Sequence, residues 1–198
     1  MTAVYTAVAG DHAKRTDIQC FTGDGIFHNP VMEAKRYKVL PHLFLADEVT
    51  IWVDSNISLR APADAVVDAL LGNADMAIFH SPYRKTVWDE FAALKEQPRF
   101  HIPYLQTQLA AQRKAYLEEG LPVFATPYEC NFMIRRNNER VNRLMEAWWA
   151  QICRWQWRDQ VSLPYVVWRH GWDVDFKVHR DVNIRAHPLF DHIEQWPT

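Results

Sequence analysis

Asn29-Pro30-Val31-Met32-Glu33-Ala34-Lys35-Arg36-Tyr37-Lys38-Val39-Leu40-Pro41, followed after a short connection by Val49-Thr50-Ile51-Trp52-Val53-Asp54-Ser55-Asn56, is the stretch that decides the fold class. Asn29 can cap a helix, Pro30 suits the first helical position, and Pro41 halts the helix after Leu40. The run from Val49 to Val53 is apolar and β-branched with no sustained polar alternation, the pattern of a strand buried on both faces.

The same alternation continues outward in both directions. Strands are expected over residues 4–9 and 17–22, closed by Gly10-Asp11 and by Gly23-Asp24-Gly25. A helix over 62–71 stops at Gly72, and a strand follows over 75–80. Thr86 and Asp89 have capping-box spacing at the head of a helix over 86–96, and a longer helix over 104–119 ends at Gly120 and Pro122. Strands are expected over 123–126 and 130–135. Val141, Leu144, Met145, Trp148, Trp149 and Ile152 then repeat at helical spacing over 138–154. Strands separated by helices predict an α/β fold, a mainly parallel sheet with helices on both faces. No linker or repeat divides the chain, so residues 1–198 read as one domain.

Composition excludes several classes. With 48% hydrophobic and 23% charged residues, the chain is neither disordered nor fibrous. Its 22 basic and 24 acidic side chains nearly cancel, which argues against a broad nucleic-acid-binding surface. Cys20, Cys130 and Cys153 are odd in number and form no C-x-x-C pair, so neither a disulfide framework nor a structural zinc site is expected. The first residues lack a basic leader, and no apolar run is long enough to span a bilayer; a cytoplasmic location is expected. The 9 tryptophans suit either a core or a stacking platform for sugars, and Trp155 and Trp157 flank a polar turn where a platform would be useful.

Neither G-x-G-x-x-G nor G-x-x-x-x-G-K-[ST] is present, which disfavours a dehydrogenase or a P-loop NTPase. In open α/β sheets ligands bind at the carboxyl ends of strands. Asp54 and Asn56 stand at such an end. A carboxylate there can hold a divalent cation or a ribose hydroxyl, and equally can cap a turn. Lys35, Arg36 and Lys38 on the preceding helix can bind phosphate oxygens or form a solvated face. His80 and Arg84 end and follow another strand, with Glu90 on the next helix. Glu129 precedes a strand. Arg158-Asp159-Gln160 can grip sugar hydroxyls or cap the segment 161–168. His179, His187 and His192 are spaced too irregularly for a zinc motif, although one of them can close a metal shell begun by Asp54.

Lys38-Val39-Leu40-Pro41-His42-Leu43-Phe44 leading into Ile51-Trp52-Val53-Asp54 resembles a glycosyltransferase-like domain of plant Golgi proteins of seed-mucilage and cell-wall synthesis, found also in bacteria. Further matches run in the same order: Ala77-Ile78 with His80, Arg84 and Glu90; Glu129 with Ile134-Arg135; Arg158-Asp159-Gln160 with Ser162 and Tyr165-Val166-Val167; and His187-Pro188. The resemblance implies a compact GT-A-like, Rossmann-like domain that binds a nucleotide sugar. It implies that residues 4–10, with Val8 and Gly10, line the base pocket. Asp54 would face ribose and diphosphate, Lys38 would lie near the phosphates, and His80, Arg84 and Arg158 would complete the donor side. Asp159 and Gln160 would meet the donor sugar or reacting centre, and Asp159, Glu129 and Glu90 are candidates for a general base. Asp54, Asn56 and His187 would hold a divalent cation such as manganese or magnesium. Asn56 departs from the Asp-x-Asp pattern, so Lys38 and Arg84 are the alternative source of positive charge.

The expected activity is glycosyl transfer from a nucleotide diphosphate sugar, a UDP-sugar in the first instance, to a carbohydrate hydroxyl. Two alternatives stand beside it. One is a non-catalytic nucleotide- or glycan-binding domain, and the other is a metal-dependent hydrolase using Asp54, His80 and His187.

Overall fold

All five residues of β3, Val49–Val53, are buried, as an apolar run without polar alternation requires. The computed structural model describes residues 1–8, 10, 14–180 and 182–192; Ala9 and Asp11, at the end of the expected first strand, lie outside them. β3 is the third strand of a six-stranded sheet ordered β2 (Gln19–Thr22), β1 (Thr2–Val8), β3, β6 (Tyr128–Arg136), β5 (Met76–His80) and β7 (Phe176–His179).

The sheet is mixed rather than mainly parallel. β1 runs parallel to β2 and β3, and β5 parallel to β7, but β6 is antiparallel to both of its neighbours. The reason lies in the connection. Between β5 and β6 the chain forms two helices, α3 (Val87–Glu96) and α4 (Pro103–Glu118). Ser81 N donates to Pro127 O at 2.9 Å, so β6 begins beside the end of β5 and has to run back along it. A parallel strand would need a single crossover to the opposite edge. The expected strand over 123–126 is absent. Ala125 N closes a turn on Pro122 O at 3.0 Å, and Val123 and Phe124 project into solvent with no neighbouring strand.

Both faces of the sheet are covered, unequally. Tyr5, Trp52, Met76, Ile78 and Met133 pack beneath α3, α4, α1 (Pro30–Val39), α5 (Glu139–Arg154) and α6 (Asp159–His170). Ile51, Val53, Ala77, Phe79, Phe132 and Ile134 face the other way. They meet α2 (Ala63–Val66), its π-helical extension Val67–Leu71, and the buried Ile184 and Phe190. Phe190 belongs to β8 (Phe190–His192), which pairs with β4 (Ile57–Leu59) in a separate two-stranded sheet.

Local chemistry sets the helix ends. Asn29 Oδ1 accepts from Val31 N at 2.9 Å at the head of α1, and Thr86 with Asp89 forms the capping box of α3. The helical apolar set on α5 buries Trp148 completely, with Nε1 donating to Ser162 Oγ of α6 at 3.0 Å. Trp149 packs at the margin of the same core, its ring 5.7 Å from Phe27. Asp159 is not the cap of α6: Arg158 holds the cap position and Asp159 is the first helical residue.

Candidate functional site

β1, β3 and β5 end on the same side of the sheet, and β6 starts there because it runs the other way. A cavity of about 580 Å³ opens at this edge. β6 also carries an irregularity: its pairing with β5 jumps from Ile78↔Met133 to Phe79↔Glu129. Residues 130–132 are the surplus, and such bulges re-aim side chains next to binding sites. Here Glu129, Cys130 and Asn131 line the cavity.

Asp54 extends β3, its N–H donating to Asn131 O at 2.8 Å. Its Oδ1 accepts from Trp52 Nε1 at 2.8 Å and from Lys38 Nζ at 3.2 Å. Lys35 and Lys38 are three residues apart on α1 and therefore share a helix face. Both ammonium groups reach Asp159 Oδ2, Lys38 at 2.8 Å. Arg36, between them, turns away to pair with Asp24. Asp159 is 3% exposed at the head of α6, and burial alone would favour its neutral form. Lys35, Lys38 and Arg158 outweigh that penalty and hold the carboxyl well below the usual carboxylate range. Lys38 is likewise opposed by burial, but Asp159 and Asp54 push its pKa upward. Lys35 has its pKa lowered, because burial there outweighs its attraction to Asp159.

A second ion cluster sits alongside. Glu90 accepts from Arg158 Nε at 2.8 Å and Nη2 at 2.6 Å, and from Arg84 Nε at 3.2 Å. Glu129 differs from the other three carboxylates of the cavity in having no ion pair among the described residues. Its nearest polar partner is Ser81 Oγ, 3.5 Å from Oε1. Burial pushes its carboxyl up, against the pull of Arg158 and Arg185. A smaller cavity of about 220 Å³ adjoins, lined by Ala7, Val31, Ala34 and Trp52, and shares Lys35, Lys38, Asp54 and Asn56 with the first.

A family profile described as TOD1/MUCI70, glycosyltransferase-like domain, matches residues 22–191. The chain belongs to the TOD1/MUCI70 glycosyltransferase-like domain family. A comparison with curated proteins finds no match.

In this TOD1/MUCI70 domain the candidates Lys38, Asp54, Asn56, Arg84, Glu129, Arg158, Asp159 and Gln160 all line the one cavity. Val8, Gly10, His80 and His187 do not. Val8 is buried at the end of β1, where its neighbour Ala7 reaches the smaller cavity instead. His80 ends β5 half-buried, with its pKa lowered by burial and by Arg180. The His187 ring packs against Phe79 and Phe190 at 5.6 and 5.3 Å between centroids, and its Nδ1 accepts from Leu189 N. The residues of the hydrolase alternative therefore do not share the cavity. Neither tryptophan beside the Arg158 turn lines this cavity: Trp157 stacks on Phe100 and Trp155 donates to Gln151.

Asp54, Asn56 and His187 do not make a metal shell. Among the described residues no three histidine, cysteine or acidic side chains gather to hold an ion. Asp54 Oδ1 already takes two donors, one of them an ammonium. The cavity also uses Ser81, Tyr83, Asn131 and Arg185, which pattern reading did not select, and His192, one of the three histidines named beside Asp54. Arg185 and Asn131 carry no sequence signal at all.

Proposed function

We propose that this domain transfers a glycosyl group from a nucleotide diphosphate sugar, with a UDP-sugar as the first donor to test, to a carbohydrate hydroxyl. One observation carries the reading: two lysines ion-paired to Asp159 at the strand edge line the same cavity as a single carboxylate that lacks an ion pair among the described residues. The demanding part of glycosyl transfer is the charge that develops on the departing diphosphate. Lys35 and Lys38 would meet it, and Arg84 and Arg185 line the same cavity. The smaller cavity beside Asp54 suits the nucleoside.

Glu129 is the base in this reading. It takes the proton of the acceptor hydroxyl while that oxygen bonds to the anomeric carbon. The bond from that carbon to the diphosphate breaks, and the nucleoside diphosphate leaves with the electron pair. This is an inverting route. A raised pKa suits a base that has to hold a proton in the transition state. Asp159 suits a different role, as the anchor that keeps Lys35 and Lys38 charged and aimed. No step passes through a metal ion. The three cysteines are free thiols, which fits a reducing compartment such as the cytoplasm, and no helix among the described residues is long and apolar enough to cross a membrane.

The test is a thermal-shift titration with UDP and UDP-sugars, with and without EDTA, followed by turnover of the hit. Binding raises stability by mass action. Turnover is expected to survive EDTA and to fall about 100-fold or more in Glu129→Gln, as loss of a general base does. Full turnover in Glu129→Gln removes the assigned base. Binding of UDP with neither hydrolysis nor transfer replaces the transferase by a non-catalytic binding domain.

A further inference from the structure

We infer that Tyr83 is the platform on which the acceptor sugar stacks, and that the acceptor arrives along a groove over the first turns of α3. The inference rests on the transferase reading and adds to it the route and contact of the second substrate.

A shallow depression of about 410 Å³ lies beside the main cavity, lined by Tyr83, Arg84, Lys85, Asp89, Ala92 and Ala93. Tyr83 and Arg84 line both, so the groove opens into the cavity across the Tyr83 ring. The ring is 53% exposed, unlike most aromatic side chains of the sheet. Single exposed aromatics are ordinary on a protein surface. Tyr83 differs in how firmly its backbone is held. Its N–H donates to Ser81 Oγ at 3.4 Å and its carbonyl accepts from Arg84 Nη1 at 2.9 Å. Two residues later, Lys85 N and Thr86 N both donate to Asp89 Oδ2, at 3.0 and 2.8 Å. The loop is pinned at both ends, and the Arg185 guanidinium lies over the ring at 5.7 Å from its centroid, leaving the opposite face for a sugar.

The connection to the chemistry runs through Ser81. The hydroxyl that accepts from Tyr83 N also lies 3.5 Å from Glu129 Oε1. A pyranose lying on Tyr83 would sit at the mouth of the cavity also lined by Glu129, the only cavity carboxylate without an ion pair among the described residues. Its C–H face would cover the ring, and Arg84, Lys85 and Arg185 would supply donors to its hydroxyls. Asp89 adds little to recognition, since its carboxylate is committed to the cap.

The experiment compares wild type, Tyr83→Ala and Tyr83→Phe with a turning-over UDP-sugar and with cello-, xylo- and mannotetraose as acceptor probes. Hydrolysis of the donor by water is followed in the same samples. Tyr83→Ala is expected to raise the acceptor KM roughly tenfold, the scale of one aromatic contact, and to shift donor consumption from transfer towards hydrolysis. Donor KM should move less than twofold, and Tyr83→Phe should keep the wild-type acceptor KM. Equal acceptor KM in wild type and Tyr83→Ala, with hydrolysis intact, overturns the platform and leaves the transferase reading standing. A wild-type protein that neither hydrolyses nor transfers any donor ends the transferase reading and this inference with it.

Discussion

Replacing Asp159 by asparagine tests the electrostatic design of the site most directly. The substitution keeps the shape and removes one negative charge from a position 3% exposed, in contact with two ammonium groups. Among the described residues, Lys38, itself 3% exposed at its side chain, then has Asp54 at 3.2 Å as its ion-pair partner, and Lys35 has none. Removing one member of a buried ion pair typically costs about 3–5 kcal/mol, because the remaining charge is left without compensation. For a chain of this size that corresponds to a melting temperature lower by roughly 6–20 °C. Urea unfolding followed by tryptophan fluorescence measures the difference directly, provided the slope with urea is unchanged.

The pH dependence adds a second constraint on the same variant. Asp159 has its folded-state pKa depressed relative to the unfolded chain, where an aspartate titrates near about 3.9. A depressed carboxylate contributes stability that is fully present above the unfolded value and is lost as pH falls towards the folded one. The gap between wild type and Asp159→Asn should therefore be widest above about pH 5 and narrow steadily between about pH 5 and pH 2. A gap under about 1 kcal/mol at neutral pH, or one that stays constant on acidification, would refute the buried-hub account.

Two further perturbations separate binding from folding. Lys35→Ala should weaken UDP binding by about 10–100-fold, the worth of one charge-assisted hydrogen bond, and reduce its salt dependence in calorimetric titrations at two ionic strengths; unchanged affinity would remove Lys35 from the phosphate side. Trp148→Ala should destabilise by about 3–5 kcal/mol in urea unfolding through the cavity it leaves, with Ser162 losing its donor as well; a loss under about 1 kcal/mol would mean that α5 and α6 close over the gap.

What the sequence made legible follows from the range of the forces involved. Asp54 was readable because an unbroken apolar run ends at it, and strand ends are where ligands bind. Lys35 and Lys38 were readable as a cluster, but only the phase of α1 separates them from Arg36, which points at Asp24. The direction of β6 was not readable. It depends on the long connection through α3 and α4 bringing Pro127 back beside Ser81, and no local pattern encodes where such a connection returns. The bulge that delivers Glu129 and Asn131 was equally hidden, since a register shift is a property of two strands together. The histidines show the same limit: His187 and His192 lie five residues apart, and the short β8 turns one into the cavity while the other lies against Phe79. Trp155 and Trp157 flank the right turn, yet each finds a partner in the surrounding helices and neither faces the cavity.

The neutral Asn56 gains its meaning from this charge arrangement. A site with two acids at the strand edge can hold a divalent ion and let that ion meet the diphosphate. With an amide at the second position, the proposed transfer draws its positive charge from side chains, and burial disfavours the charged form of an ammonium group that has no partner. Lys35 already has its pKa lowered by burial, even with Asp159 in contact. Asp159 raises the pKa of both lysines and so favours their cationic forms, and in the proposed transfer an arriving diphosphate would meet that charge. That division of labour also explains why Asp159 and Glu129, both acids of one cavity, are driven in opposite directions. The first is surrounded by cations, which hold its pKa down, whereas the second is left without an ion pair among the described residues, and burial raises its pKa, as the proposed base requires.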